Sequence, residues 1–136
     1  MQDKFHYQSF FEGMYRWFSS IFDEGVSYDR KRAAEWWRPD AKMITNGKEL
    51  YVGLDSLNNH WEALKAQFKS LRIELPFIEY IEAGDKVIIE YTIQGTTKSG
   101  ADGVVHDLAV FHLVDGKIAR MREVVHLEGF GGLKVG

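Results

Sequence analysis

Residues 104–126 read VVHDLAVFHLVDGKIARMREVVH. The Asp115-Gly116 pair divides two β-type runs, 104–114 and 117–126, and predicts a tight hairpin between them. On the first run Val105, Asp107, Ala109, Phe111 and Leu113 share one face, and Val104, His106, Leu108, Val110 and His112 share the other. The first set carries the larger core residues near the turn and is assigned inward. On the second run an unbroken ladder would turn Ile118, Arg120, Arg122 and Val124 inward. Two unpaired buried guanidinium groups would cost roughly several kcal/mol each. A β-bulge near Ala119-Arg120 shifts the phase and turns Met121, Glu123 and Val125 inward instead. Burying Met and Val is favourable by about 1.5–3 kcal/mol each. The bulged register is therefore the predicted one.

That register sets Glu123 opposite Ala109, with Asp107 one diagonal step away. Two carboxyl groups in an apolar interior repel, and desolvation adds to the effect, so one of them holds its proton unusually well. An acid and a base can then coexist at neutral pH. Asp107 and Glu123 are the candidate catalytic residues. The structural alternative is an Asp in water at a cavity mouth and a Glu bonded to a Tyr or Trp. His126 follows at the strand end and is expected at the surface. His106 and His112 share the outer face about 20 Å apart, too far to chelate one ion. No metal site and no cofactor are expected.

Upstream the period changes. Tyr7, Phe11, Met14, Phe18 and Ile21 recur at three- and four-residue steps within 5–22, the stripe of an amphipathic helix that Phe10 and Trp17 widen. A shorter helix is expected from Ser27 or Asp29 to Trp37, ended by Pro39. A strand over 41–46, a turn at Gly47 and a returning strand over 49–52 follow. Asp55 is placed as the cap of a third helix bearing Leu54, Leu57, Trp61, Leu64 and Phe68. Strands are predicted over 71–75, 77–83 and 86–95. Helices come first and antiparallel strands after, the order of an α+β fold with helices on one sheet face.

The segment EWWRPDAKMITNGKELYVGLDSLNNHW, residues 35–61, holds three of the chain's four tryptophans. It is read as one wall of a concave apolar pocket. Tyr15, Trp37, Tyr51, Trp61, Tyr91, Phe111 and Met121 are the candidate ligand-binding residues. The tyrosine hydroxyls need partners if buried.

Length and composition bound the rest. A chain of 136 residues with 45% hydrophobic and 14% aromatic content is one domain with a real core. A net charge of -3 speaks against nucleic-acid binding. The absence of cysteine removes disulfides and thiolate chemistry. No apolar run is long enough to span a membrane, and the N-terminus does not read as a signal peptide, so a cytoplasmic location is expected. One domain over 1–136 is predicted, with 1–4 and 127–136 loosely held.

The pieces RPDAKMITNGKELYVGLDSL, GDKVIIEYTIQG and VFHLVDGKIARMREVVH resemble, in order and spacing, the SnoaL-like and ketosteroid-isomerase-like branch of the nuclear-transport-factor-two superfamily. The resemblance covers most of the chain. It implies a cystatin-like α+β cone, N-terminal helices packed on a curved antiparallel sheet around an apolar pocket, and a homodimer formed through the sheet. It does not carry the isomerase groups over. The general-base position falls at Thr45, the helix tyrosine at Phe18 with Tyr15 one turn away, and the protonated Asp at Ala109. The expected function is binding of a small, mainly apolar molecule, with cofactor-free isomerase, cyclase or dehydratase chemistry. The alternative is a non-catalytic binding or dimerisation module of the same fold.

Overall fold

The computed structural model describes residues 5–133, apart from the side chain of Tyr51. Helix α1, Gln8–Ser20, buries Phe11, Met14, Tyr15, Trp17 and Phe18, the stripe expected from its periodicity. Helix α2 is a single turn, Arg30–Ala33, capped by the Asp29 carboxylate on the Lys31 and Arg32 amides. It stops short of Trp37, which already begins strand β1, Trp37–Thr45. Pro39 keeps Arg38 extended, and the Ile118 amide bonds the Trp36 carbonyl at 2.8 Å, drawing the chain into the sheet.

Strand β2, Lys48–Val52, returns antiparallel to β1. Helix α3 then runs over Leu54–Gln67. Asp55 is not its cap. Gly53 holds that position at φ 86, and the Asp55 carboxylate reaches Arg30 at 3.2 Å instead. Only glycine fits comfortably at that φ. Phe68 belongs not to the helix but to β3, Phe68–Ile73. Strands β4, Glu79–Ala83, β5, Lys86–Thr97, β6, Asp102–Val114, and β7, Lys117–Gly129, complete the chain order.

The sheet runs β2-β1-β7-β6-β5-β3, with β4 also on β5. It is mostly antiparallel but mixed, because β1 lies parallel to β7. The architecture is α+β, a curved sheet with the helices on its concave side.

The last hairpin carries the predicted phase shift. Its turn has positive φ at both Asp115 and Gly116, 52° and 76°, the geometry Asp-Gly favours. The register passes from Leu113↔Ile118 to His112↔Arg120, leaving Ala119 as the extra residue. Ile118, Met121 and Glu123 are therefore all buried, while Arg120 and Arg122 stay in solvent.

The C-terminal segment departs from expectation. Residues 127–129 continue β7, and Phe130 is only 3% exposed. Its ring meets Phe68 edge-on, with a centroid separation of 5.4 Å. It fills a notch cleared by two glycines: a Cβ on Gly103 would stand 2.6 Å from the Phe130 ring, and one on Gly95 would stand 3.0 Å from it. Residues 127–133 are thus packed rather than loose, since an apolar ring with a fitted notch gains more than it loses in chain freedom. Residues 1–4 and 134–136 lie outside the described ones.

Candidate functional site

Between the concave sheet face and helices α1 and α3 lies a cavity of about 340 Å³. The helices contribute Met14, Tyr15 and Phe18 from α1, and His60, Trp61, Leu64 and Gln67 from α3. The sheet contributes Trp37, Met43 and Thr45 from β1, Tyr91 and Ile93 from β5, Val105 and Asp107 from β6, and Met121, Glu123 and Val125 from β7.

Two bonded groups of polar side chains stand in this wall. Tyr15 Oη donates to Tyr91 Oη at 2.6 Å, and Tyr91 Oη donates to Asp107 Oδ2 at 2.9 Å. On the other side, Thr45 Oγ1 donates to Glu123 Oε1 at 2.9 Å. The sheet explains the positions: Tyr91 pairs with Asp107 across β5–β6, Ala109 with Glu123 across β6–β7, and Thr45 with Glu123 across β1–β7. The methyl of Ala109 leaves space between the two carboxyl groups. Asp107 and Glu123 are each only 6% exposed.

Burial, then the Glu123 charge and the preference for a proton shared with Glu123, push the Asp107 carboxyl well above the usual carboxylate range; the Tyr91 bond pulls against this. Burial also raises Glu123, opposed by bonds from Asp107 and Thr45. The two groups titrate as a unit, with the proton better held on Asp107. The Tyr91 bond occupies Oδ2, so the buried Oδ1 is the Asp107 oxygen left to carry the proton. Burial, followed by the Asp107 charge, lifts the Tyr91 phenol well above its ordinary value, so Tyr91 remains a donor.

Of the ligand-binding residues expected from sequence, Tyr15, Trp37, Trp61, Tyr91 and Met121 stand on the cavity wall. Phe111 does not. It is fully buried with its ring 4.5 Å from Phe11, because the inward face of β6 passes under α1 at that point. Tyr51 lies opposite Met43 in the β1–β2 pairing, and its side chain is outside the described residues. Trp36 faces away from the cavity: it stacks on Trp17 at 5.3 Å, with the Arg32 guanidinium 5.1 Å from its ring. His126 is exposed and stacks on His106 at 6.0 Å on the outer face.

Thr45 and His60 are among the wall residues that the sequence reading did not place there. Thr45 stood only as the vacant isomerase-base position, yet it holds Glu123. His60 stands one helical step ahead of Leu64 and Gln67 on α3, and the i, i+4, i+7 spacing was the available signal. Burial lowers the His60 pKa to about 4, so its imidazole is neutral in the wall. Among the described residues no group of three or more His, Cys, Asp or Glu could hold a metal ion, and no helix is long and apolar enough to cross a membrane.

Residues 12–121 match the family model for the SnoaL-like domain. No curated protein matches the chain. Among solved structures, a candidate SnoaL-like polyketide cyclase from Jannaschia sp. CCS1 is similar at TM-score 0.68 and 20% identity, covering 92% of this chain and 91% of that one. TerC, co-crystallised with polyporic acid, is similar at TM-score 0.66 and 18% identity, covering 85% of this chain and 90% of that one. A hypothetical protein with a ketosteroid isomerase-like fold from Catenulispora acidiphila DSM 44928, in complex with trimethylamine, is similar at TM-score 0.61 and 14% identity, covering 78% and 79%. At these identities the likeness shows the fold, the NTF2-like cone.

Proposed function

This chain belongs to the SnoaL-like domain family, and from that premise we propose that it binds a small, mainly apolar molecule and moves protons on it without a cofactor. The observation that carries this reading is the Asp107–Glu123 pair, buried together in a mainly apolar wall. Glu123, ionised and steadied by Thr45, takes a proton from a carbon beside a ligand carbonyl. Asp107, protonated, gives its proton to the carbonyl oxygen, and Tyr91 stabilises the carboxylate left behind. The enol that forms can be reprotonated elsewhere, attack a second carbonyl or expel a neighbouring hydroxyl, which correspond to isomerisation, cyclisation and dehydration. Tyr15, Trp37, Trp61, Tyr91 and Met121 are the proposed contacts for the ligand's apolar body. The small ligands of the solved neighbours support a cavity of ligand size.

The test is solvent exchange. A small apolar ketone with exchangeable α-hydrogens is incubated in D₂O with the protein and followed by proton NMR. Glu123→Gln and Asp107→Asn are each expected to slow exchange by about 10²-fold or more. Rates equal to the wild type would remove the pair from this role. Saturable quenching of tryptophan emission with no exchange would leave a binding module.

A homodimer through the outer sheet face belongs to the same proposal. Leu108, Val110 and Val124 are 50%, 39% and 63% exposed there on the adjacent strands β6 and β7. Apolar side chains grouped this way favour a covered face.

A further inference from the structure

The cavity has a charge character that its apolar surface conceals. Its described lining contains two carboxyl groups and no lysine or arginine. The arginines of β7, Arg120 and Arg122, are turned to the opposite face of the sheet by the bulge at Ala119. The histidine of the wall, His60, is neutral at physiological pH. The remaining polar liners, Thr45, Gln67, Tyr15 and Tyr91, carry no positive charge. Whatever negative charge the Asp107–Glu123 pair takes on is therefore compensated by nothing cationic in the wall.

The same wall is rich in rings. Tyr15, Phe18, Trp37, Trp61, Phe68 and Tyr91 all line it. Aromatic faces attract cations, and the attraction grows as water is excluded. A desolvated carboxylate gains far more from a cation than an exposed one does. Rings and acids converging on one cavity make a site for an ammonium group.

We propose that the ligand this cavity accepts is an apolar-substituted amine, bound as its ammonium cation beside Asp107 and Glu123 with its hydrocarbon groups on the aromatic wall. This rests on reading the cavity as a ligand pocket and narrows the class of ligand; it does not require turnover. An anionic ligand meets two acids and no counter-charge, and is rejected.

The proposal fixes the sign of a pH effect. The acid pair is at least partly protonated when the cavity holds no cation. A cation draws protons off the pair, so its affinity rises as pH rises through the range where the pair titrates. From β1, β5, α1 and α3 the groups that share the cavity with the pair are Thr45, Tyr91, Tyr15 and His60; burial holds Tyr91 as the phenol and His60 as the neutral imidazole between about pH 5.5 and pH 8.5. A neutral isostere has no such dependence.

Benzyltrimethylammonium, a permanent cation, and neopentylbenzene, its neutral isostere, are titrated against the full chain, with tryptophan emission and calorimetry as readouts. At about pH 8.5 the cation is expected to bind about tenfold or more tighter than the isostere. At about pH 5.5 the ratio shrinks, and calorimetry in buffers of different ionisation enthalpy reports proton release on cation binding. In the double variant Asp107→Asn, Glu123→Gln the ratio falls to about one. An isostere that binds as tightly as the cation at the higher pH overturns the proposal while leaving the pocket reading in place. A cation preference that survives the double variant also overturns it. Binding of neither probe overturns both readings.

Discussion

Tyr91 and Asp107 face each other across β5 and β6, and the Tyr91 phenol donates to Asp107 Oδ2 at 2.9 Å. Because Tyr91 in turn accepts from Tyr15, the acid is tied through two phenols to α1, an element on the other side of the cavity. The bond stabilises the ionised form of Asp107 against the burial that opposes it.

Tyr91→Phe removes that donor. The Asp107 carboxyl is expected to titrate still higher than in the wild type, because the one influence lowering it is gone. Stability at mildly acidic pH should fall by about 1–2 kcal/mol for the lost buried bond. Carbonyl NMR titration with urea unfolding checks both. An Asp107 titration that moves down, or stays in place, contradicts the assigned role of the phenol.

The acid pair should make the fold less stable as pH rises. Both carboxyl groups have folded-state pKa values above their unfolded ones. Their contribution is fully present below the unfolded carboxylate pKa and is lost as pH rises through the folded values. Asp107→Asn keeps the Tyr91 acceptor and removes the repulsion with Glu123. Its urea midpoint is expected to exceed that of the wild type above neutrality, with a shallower pH dependence. A midpoint that falls below the wild type at every pH would show that the charge is held for stability rather than at its cost.

Glu82 behaves in the opposite way. Its carboxylate accepts from the His6 amide at 2.9 Å, the Tyr7 amide at 2.8 Å and the Tyr80 hydroxyl at 2.6 Å, holding the entrance to α1 onto β4. Burial raises its pKa, but the bonds from Tyr80, Tyr7 and His6 outweigh that and leave it lowered. Its contribution is present above the unfolded pKa and is lost as pH falls through the folded one. Glu82→Ala should cost about 1–2 kcal/mol near neutrality, as loss of a charged cap does. The difference from wild type should shrink in acid. Equal chemical stability at neutral pH would refute the tie.

Val124→Glu addresses the outer face. If Leu108, Val110 and Val124 are covered by a second copy, the substitution buries an unpaired charge there and the protein should run as a monomer in light scattering. The wild type should run as a dimer at the same concentration. A monomeric wild type removes the proposed assembly.

The segments 8–20, 54–67 and 86–97 were readable because each carries its own period, and burying one face satisfies the period locally. The same logic failed where a tertiary contact outweighed it. Trp37 was drawn from helix to strand by pairing with β7, and Phe130 was held by a notch formed by Gly95 and Gly103, residues whose chain neighbours say nothing of an aromatic partner. Phe111 has the inward phase but not the cavity, since periodicity tells which face a side chain takes and not which part of the interior it meets.

The chain's own order of residues determined that an acid, not a guanidinium group, would point inward from the last strand. Desolvating Arg120 and Arg122 without partners would cost roughly several kcal/mol each, and the bulge at Ala119 avoids it. Only the tertiary structure decided what the acid would touch. Thr45 reaches Glu123 from 78 residues away because β1 aligns parallel to β7, and Tyr15 reaches Tyr91 across 76 because α1 crosses the sheet. Contacts at such separation arise from the packing of whole elements, and packing leaves no periodic trace along the chain.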